Sequence, residues 1–171
     1  MSEAGTPEKA PSLSPRPATE DDIPQILELE ARVQSAGWRE DHFRAEFQKG
    51  YSHFIVLTDD ETDSKIAGFI VFWTLQDEGQ ILNIAVDIPF RGLGLGKKMI
   101  QLAVNQAAKA GGNRVILDVR KSNLPAIQLY QGQGFIITRT HRNFYSNGED
   151  AYQMVLDLTQ KDPLDPRSID F

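Results

Sequence analysis

The stretch ILNIAVDIPFRGLGLGKKMI (Ile81–Ile100) joins a run of alternating apolar residues to a helix-forming segment through a glycine-rich turn. Gly92, Gly94 and Gly96 stand at every second position, with Arg91 before them and lysines after them. Glycine lets a backbone turn tightly and approach a ligand closely. The start of a helix presents unpaired N–H donors and a partial positive charge. The stretch therefore predicts a strand, an anion-binding turn and a helix.

Two common phosphate-binding motifs do not fit this turn. A P-loop requires glycine, four residues and then Gly-Lys-Ser/Thr, but Arg91 stands at the first glycine position and Lys98 replaces the hydroxyl residue. The G-x-G-x-x-G motif fails because its third glycine falls on Lys97 or Met99. The turn thus predicts a pyrophosphate held by backbone amides without a metal ion. A helix-entry turn that binds no ligand stays open as the alternative.

Composition limits the class of function. The chain has 171 residues, which fits one domain, and a net charge of -6, which argues against non-specific binding of nucleic acid. It has no cysteine, so disulfides, thiolate zinc sites and cysteine nucleophiles are excluded. No apolar run approaches the roughly 20 residues of a membrane span. We expect a cytoplasmic protein with no membrane partner and no direct nucleic-acid partner.

The two ends of the chain differ in composition from the middle. Residues 1–15 are rich in proline and poor in large apolar residues, so we expect a disordered tail there. Residues 159–171 contain two prolines and predict an irregular C-terminal tail. One domain is expected to span residues 16–158.

Hydrophobic periodicity predicts the order of elements between these ends. Helical spacing covers residues 23–33 and about 39–49, and three strand-like runs follow at 53–58, 65–73 and 79–86. A helix after Gly94, with the apolar stripe Met99, Ile100, Ala103, Val104, Ala107 and Ala108, leads to a short strand at 114–119. A helix from Asn123 and two last strands, within 134–140 and 150–158, complete the chain. The order predicts an α/β (α+β) layer with an antiparallel meander, a right-handed parallel β-α-β crossover and a closing hairpin.

The motif R-x-x-G-x-G at Arg91, Gly94 and Gly96 resembles the acetyl-CoA signature of the GCN5-related N-acetyltransferase (GNAT) superfamily. Within it, the segments NIAVD (83–87), SNLPAIQLYQGQGF (122–135) and RNFYSNGEDA (142–151) look most like the RimI-type ribosomal-protein-alanine N-acetyltransferases. The resemblance covers roughly residues 80–156. It implies a GNAT-like fold, in which a central twisted mixed sheet carries helices on both faces.

The resemblance also implies acetyl-CoA as co-substrate and no metal. In this family the strand before the turn splays from its parallel neighbour, and the pantetheine arm lies in the gap. This implicates the backbone of Ile84 and Val86, with Ala85 between them, and Asn123 beside the arm. The pyrophosphate would meet the turn, whose implied contacts are Arg91, Gly92, Leu93, Gly94, Leu95, Gly96 and Lys97. Since main-chain donors do the binding, we expect the side chains of Leu93 and Leu95 to serve the core.

Tyr130 is the predicted general acid. Asn123, Ile127 and Tyr130 share one helix face by their spacing, and the resemblance gives Tyr130 this role. A tyrosine with a pKa near 10 holds its proton at neutral pH and can give it to a thiolate whose conjugate pKa is roughly 8.5, with cysteine as the guide. The alternatives are a core tyrosine and, for Asn123, a helix N-cap.

Asp118 is the candidate base. It lies in an otherwise apolar strand, where a carboxylate is costly to bury unless it is paired or protonated. RimI-type enzymes have a glutamate at this position. Aspartate is one methylene shorter, so the resemblance implies proton acceptance through a water molecule or a role in orienting the substrate. Pairing with Arg114 or Arg120 is the structural alternative, and His141 is a possible helper.

The predicted acceptor is the N-terminal α-amine of a protein. At pH 7 roughly 10% of α-amines but less than about 0.1% of lysine side chains are neutral, which suits a weak base. The RimI-type resemblance points the same way, to an acceptor that includes ribosomal proteins. Lysine or small-molecule amines, and a non-catalytic CoA-binding module, stay open. We expect the entering chain to be flanked by Trp38, Phe144 and Tyr145, with a helix staple as the alternative role of Trp38. Glu149 and Asp150 would attract its ammonium group or a basic tail, or would serve only the loop.

Overall fold

A computed structural model describes residues 12–33, 36–61 and 64–159 of the chain. In chain order its elements are β1 (Leu13–Pro17), α1 (Ile23–Val33), α2 (Glu40–Glu46), β2 (Ser52–Asp59), β3 (Ile66–Leu75), β4 (Glu78–Val86), α3 (Leu95–Lys109), β5 (Arg114–Arg120), α4 (Leu124–Gly132), β6 (Ile136–His141) and β7 (Ala151–Asp157). Short 3-10 turns precede α1 and follow β4. The types and order of the predicted elements are confirmed.

The seven strands form one mixed sheet in the order β1-β2-β3-β4-β5-β7-β6. Strands β1 to β4 pair antiparallel in sequence. Helix α3 carries the chain from β4 to β5, which pair parallel, as the predicted crossover requires. The last strand, β7, lies between β5 and β6 and is antiparallel to both. The predicted meander, crossover and closing hairpin are all present.

Helices cover both faces of the sheet, and each face has its own core. The stripe predicted for α3 is buried against one face together with residues of α4, except that Ala108 is exposed. Helices α1 and α2 bury Ile23, Ile26, Leu29 and Phe43 on the other face. Burying one such side chain contributes about 1.5–3 kcal/mol, so the two apolar stripes fix which side of each helix meets the sheet.

The boundary predicted for the N-terminal tail is wrong by a few residues. Leu13 to Pro15, assigned to the tail, belong to β1, which pairs along its whole length with β2. The sequence there is polar and proline-rich, and this strand depends on backbone pairing with a distant segment together with packing of Leu13 on the core. Residues 1–11 and 160–171, where the two tails were expected, lie outside the described residues.

Candidate active site

The parallel strands β4 and β5 separate halfway along their length. They pair from Glu78 to Ile81 of β4, and among the described residues β4 then pairs only with β3 and β5 only with β7. Leu82 is an extra residue in the β4–β3 register, a β-bulge. Because a bulge bends the strand that contains it, β4 turns away from β5 where the gap opens. This is the splay that the family resemblance implies.

A cavity of about 370 Å³ occupies the gap. Its walls come from β4, β5, α4 and the loops α1–α2 and β6–β7, with lining residues that include Ala36, Trp38, Leu82, Asn83, Ile84, Asp118, Val119, Arg120, Asn123, Ala126, Tyr130, Phe144 and Tyr145. The structure therefore brings Tyr130 and Asp118, the two predicted catalytic residues, to one cavity. Tyr130 belongs to the core beneath α3 and α4. Asp118 alternates with the buried Leu117 and Val119 of that core and so faces the opposite side of the sheet.

The glycine turn between β4 and α3 depends on left-handed backbone. Gly92 has φ 80° and Gly94 has φ 76°. A Cβ added at either position would meet no heavy atom within 4 Å, so conformation rather than crowding favours glycine at both. The space above this backbone is open, as close approach of a ligand requires.

Helix α3 begins directly after the turn, with Gly94 as its N-cap residue. The first hydrogen bond of the helix runs from Lys98 N–H to Gly94 O over 3.1 Å. The amides of Leu95, Gly96 and Lys97 precede it and have no partner inside the helix. Three N–H groups and the positive end of the helix dipole thus stand at the edge of the open turn.

Side chains around the turn have different roles from one another. Leu95 is buried in the core, which confirms that expectation, whereas Leu93 is 50% exposed, so the same expectation for Leu93 is wrong. A Cβ at Gly96 would lie 3.1 Å from Leu129 Cδ2. Glycine at this position therefore lets the start of α3 approach α4 closely.

The open edge of β4 presents backbone groups to the cavity. Asp87 N–H donates to a β3 carbonyl over 2.8 Å. Because alternate residues of an antiparallel strand point their N–H and C=O groups to opposite edges, Ala85 also points to β3. Ile84 and Val86 therefore point theirs to the gap, and Arg91 Nε donates to Val86 O over 3.4 Å. The predicted pantetheine contacts require this alternation.

Helix α4 begins at the cavity and carries Tyr130 two turns further along. Asn123 caps the helix by accepting a hydrogen bond from Ala126 N–H over 3.3 Å, so its N-cap role is confirmed. Asn123, Ala126 and Tyr130 line the cavity. Ile127, expected on the same face, lies in the core instead.

Tyr130 is buried, with its ring 5.8 Å from that of Phe135. Burial raises the pKa of the Tyr130 hydroxyl well above its ordinary value, and the neighbouring Tyr145 raises it further. The phenol consequently keeps its proton throughout the neutral pH range. Tyr130 is thus both the core residue of the structural alternative and a proton donor that reaches the cavity wall.

Asp118 is half-buried on β5, opposite Gln153 of β7. Its Oδ1 is inaccessible and accepts no hydrogen bond from the described residues, although His141 Nε2 lies 3.5 Å away. Burial raises the pKa of Asp118, and the charge of His141 opposes that shift. A buried carboxylate oxygen without a donor has a raised proton affinity, which is a property of a catalytic base.

Pairing of Asp118 with an arginine, the structural alternative, is wrong. Arg114 Nη2 lies 2.6 Å from Glu78 Oε2, at the far end of β5. Arg120 Nη1 lies 3.3 Å from Glu149 Oε2, in the β6–β7 loop. Both guanidinium groups have other carboxylate partners.

Three aromatic residues expected to flank an acceptor lie at the mouth of the cavity. Trp38 packs against Phe43, with ring centroids 5.1 Å apart. Phe144 is 49% exposed. The Arg120 guanidinium lies 3.9 Å from the centroid of the Tyr145 ring. Burial raises the pKa of Tyr145, and Arg120 opposes this, so Tyr145 is also protonated at neutral pH.

The acidic residues Glu149 and Asp150 order the β6–β7 loop. Glu149 accepts hydrogen bonds from Ser122 N–H (3.0 Å) and the Ser122 hydroxyl, and it contacts Arg120. Asp150 Oδ1 accepts from Asn143 N–H over 3.0 Å. Of the two roles expected for this pair, the structure supports the loop role, since these oxygens already have donors.

Sequence reasoning considered Arg120 only as a partner of Asp118, and it missed Glu30. Arg120 lines the cavity and holds Tyr145 and the loop together through contacts between distant segments, which no local pattern reveals. Glu30 is 3% exposed on the core side of α1. The sequence does indicate this burial, because Glu30 follows Ile23 and Ile26 at the helical spacing of the apolar stripe.

Within residues 12–33, 36–61 and 64–159, no group of three or more His, Asp or Glu side chains is placed to hold a metal ion. None of the described helices combines the length and apolar character that crossing a bilayer requires.

Comparison with known proteins gives one consistent result. Residues 23–135 match the model of the acetyltransferase (GNAT) family. The chain is 32% identical over 141 residues to the [ribosomal protein bS18]-alanine N-acetyltransferase of Escherichia coli K12, covering 81% of this chain and 93% of that protein. It is 30% identical over 150 residues to an N-alpha-acetyltransferase of Sulfurisphaera tokodaii, covering 80% and 88%. The crystal structure of the Escherichia coli ribosomal-protein-S18-alanine N-acetyltransferase superposes with a TM-score of 0.75 at 29% identity, covering 88% and 97%.

Proposed function

This chain belongs to the acetyltransferase (GNAT) family, and we propose that it transfers an acetyl group from acetyl-CoA to the N-terminal α-amino group of a protein. The observation that carries the proposal is the cavity in the β4–β5 splay, which is lined both by a carboxylate whose buried oxygen accepts no hydrogen bond from the described residues and by a protonated phenol. Relatives named for N-terminal acetylation, covered over most of their length, support the same reaction.

The open turn and the free edge of β4 fit acetyl-CoA. The amides from Gly92 to Lys97 suit its pyrophosphate, since those of Leu95 to Lys97 have no partner inside the helix and the turn before them has left-handed glycines. The outward backbone groups of Ile84 and Val86 suit the amides of its pantetheine arm, as in strand addition. When bound, acetyl-CoA supplies an acetyl thioester, whose sulfur needs a proton on departure.

Asp118 is proposed to take the proton of the acceptor ammonium, so that a neutral amine attacks. Its Oδ1 is buried without a donor, and its pKa is raised by burial, so the carboxylate binds a proton more readily than an ordinary aspartate. A base with a pKa nearer the working pH is the more effective one. His141, at 3.5 Å, acts against the upward shift that burial gives the pKa of Asp118.

Tyr130 is proposed to give its proton to the thiolate as the C–S bond breaks. The nitrogen that has bonded to the acetyl carbon then releases its extra proton to solvent, and water reprotonates the phenolate. The raised pKa of Tyr130 means that the hydroxyl is the protonated species at every pH where the enzyme works. It lies about 10 Å along the α4 axis from the Asn123 cap at the entrance of the helix. This puts a donor further along the cavity wall than the residue expected beside the pantetheine arm.

An open groove supports a peptide acceptor rather than a small amine. Trp38 and Arg120 line both the cavity and an adjoining groove of about 710 Å³ bounded by α1 and the β6–β7 loop. A chain whose first residue enters the cavity can leave through this groove, whereas a small-molecule enzyme is expected to close around its substrate. Given the relatives' names, we propose that the acceptors include a ribosomal protein, which would be met in the cytoplasm.

The test is incubation with acetyl-CoA and a panel of acceptors. The panel holds peptides with free N-termini, N-terminally blocked lysine peptides and polyamines, and the transferred acetyl group is measured by mass spectrometry. Turnover with the N-terminal peptides alone is expected. Turnover only with lysines or polyamines would replace the proposed acceptor class, and binding of acetyl-CoA with no turnover would indicate a non-catalytic module.

A further inference from the structure

One buried carboxylate, that of Glu30, fastens the α1–α2 loop to the sheet. Its Oε1 accepts hydrogen bonds from three successive backbone amides, those of Ala36 (3.0 Å), Gly37 (2.7 Å) and Trp38 (3.3 Å). Its Oε2 accepts a hydrogen bond from Asn83 Nδ2 of β4 over 3.4 Å. A single side chain therefore connects the loop to the strand.

These contacts require a side-chain oxygen acceptor at position 30, and a carboxylate supplies two. Burying a polar group is costly unless it is hydrogen-bonded, and the donors of Ala36, Gly37, Trp38 and Asn83 converge on this one. The loop amides in turn need an acceptor, because N–H groups removed from water without a partner destabilise the structure. Gly37 has φ 69°, a left-handed conformation that lets consecutive amides point to one oxygen. An apolar residue at position 30 would leave all three amides without this acceptor.

The contacts of Glu30 connect the wall proposed to face the acceptor with the strand proposed to hold acetyl-CoA. Ala36 and Trp38 form the loop wall of the cavity, and Asn83 forms part of its β4 wall. The residues after Asn83 on β4 are those proposed to hold acetyl-CoA. Glu30 borders the groove but does not line the cavity. It thus fixes the separation of the acceptor wall from the cofactor strand while remaining apart from the reacting atoms.

We propose that Glu30 is a positioning residue for the acceptor, which sets the place of the Ala36–Trp38 wall relative to β4. The inference rests on the proposed transfer to a protein N-terminus. Glu30 occupies a core position of α1. It belongs neither to the glycine turn nor to the proposed acid and base, and its proposed role is in acceptor binding. Loss of Glu30 should weaken the acceptor and spare the cofactor, because the glycine turn and the free edge of β4 keep their own backbone.

The chain offers a matched control in Glu46. This residue is also buried (5% exposed) and accepts three hydrogen bonds, each 2.7 Å long, from Lys49, Ser52 and Trp73. It lies on α2 and does not line the cavity. We compare Glu30→Met with Glu46→Met, because each removes a carboxylate and keeps the length of the side chain. Glu30→Gln, which retains one acceptor oxygen, is the milder variant.

Glu30→Met is expected to raise the KM of the acceptor by about tenfold or more, equivalent to ~1.4 kcal/mol, while the Kd of acetyl-CoA changes by less than about twofold. Glu46→Met is expected to lower Tm and leave both constants unchanged. Glu30→Gln should fall between Glu30→Met and the wild type. If Glu30→Met does not fold, Glu30→Gln against Glu46→Gln gives the same comparison.

Hydrogen exchange supplies a readout that does not depend on turnover. The amides of residues 36–38 should exchange faster in the Glu30 variant and at the wild-type rate in the Glu46 variant. Equal increases of acceptor KM in the two variants, or unchanged protection of these amides, would overturn the role of Glu30. The KM is measured with whichever amine of the panel the wild type accepts, so failure of the N-terminal peptides would remove the proposed acceptor class and leave the Glu30 test intact.

Discussion

Asp118 Oδ1 lies 3.5 Å from His141 Nε2. This oxygen is buried, and no donor among the described residues forms a hydrogen bond with it. This relationship separates Asp118 from the other buried carboxylates of the domain. Asp22, for example, has a pKa lowered by a hydrogen bond from Arg16. Burial instead raises the pKa of Asp118, and the account of catalysis depends on this difference.

Asp118→Asn should remove the acidic limb of the pH–kcat profile, because that limb reflects protonation of the Asp118 carboxylate. In the wild type, activity is lost as pH falls through the pKa of Asp118, which lies above its ordinary 3.8. The variant should also lose about 100-fold or more in kcat at pH 7, as is usual for a general base. Steady-state rates at saturating acceptor between pH 4 and 9 measure both effects. Asp157→Asn, at the far end of β7, is the control and should keep the limb.

The same substitution should stabilise the fold at neutral pH. A folded-state pKa above 3.8 favours folding while Asp118 is protonated, and this contribution is lost as pH rises through that pKa. At pH 7 the wild type therefore keeps an ionised group that folding disfavours, and asparagine removes it. Thermal denaturation should give Asp118→Asn the higher Tm at pH 7, with the difference narrowing as pH falls toward 3.8. A lower Tm at pH 7 would mean that the charge of Asp118 is compensated.

Tyr130→Phe should lower kcat by about 100-fold or more while the affinity for acetyl-CoA changes little. The ring and its packing on Phe135 are kept, and only the proton donor is lost. Single-turnover rates and calorimetric titration with acetyl-CoA measure the two quantities. Tyr51→Phe, on a ring that packs against Trp73 away from the cavity, is the control. An unchanged rate would remove Tyr130 from the mechanism.

Gly94→Ala should weaken acetyl-CoA binding, and Gly111→Ala should not. Both glycines have positive φ, 76° and 85°, and an added Cβ meets no atom within 4 Å at either. Each substitution should therefore cost about 1–2 kcal/mol of stability through backbone conformation alone. Only Gly94 borders the amides at the start of α3, so only its replacement should raise the Kd. Chemical denaturation and calorimetric titration of the two variants test this, and an equal effect on Kd would show that the turn is not the binding site.

The order of elements was predictable because each helix and strand carries its own periodicity. Asp118 was predictable for a related reason, since a carboxylate within an apolar strand stands out locally. The strand at Leu13–Pro17 was not predictable, because its sequence has no strand pattern and its pairing partner is β2, some 40 residues away.

Glu30 and Arg120 show where sequence reasoning stopped. Glutamate is a good helix former and usually faces solvent, so its place in the apolar stripe of α1 was easily passed over. Arg120 gains its role from Tyr145 and Glu149, in a loop that lies beside it because β7 pairs with β5. Both residues act through contacts between distant segments, and such contacts become visible only with the fold.

The most direct test of the central claim uses one peptide with two amines. The peptide has a free N-terminal alanine and one internal lysine, and tandem mass spectrometry locates the acetyl group after incubation with enzyme and acetyl-CoA. The account predicts acetyl on the α-amine and none on the lysine, with no product when the N-terminus is blocked. Acetyl on the lysine of the blocked peptide at a comparable rate would contradict it.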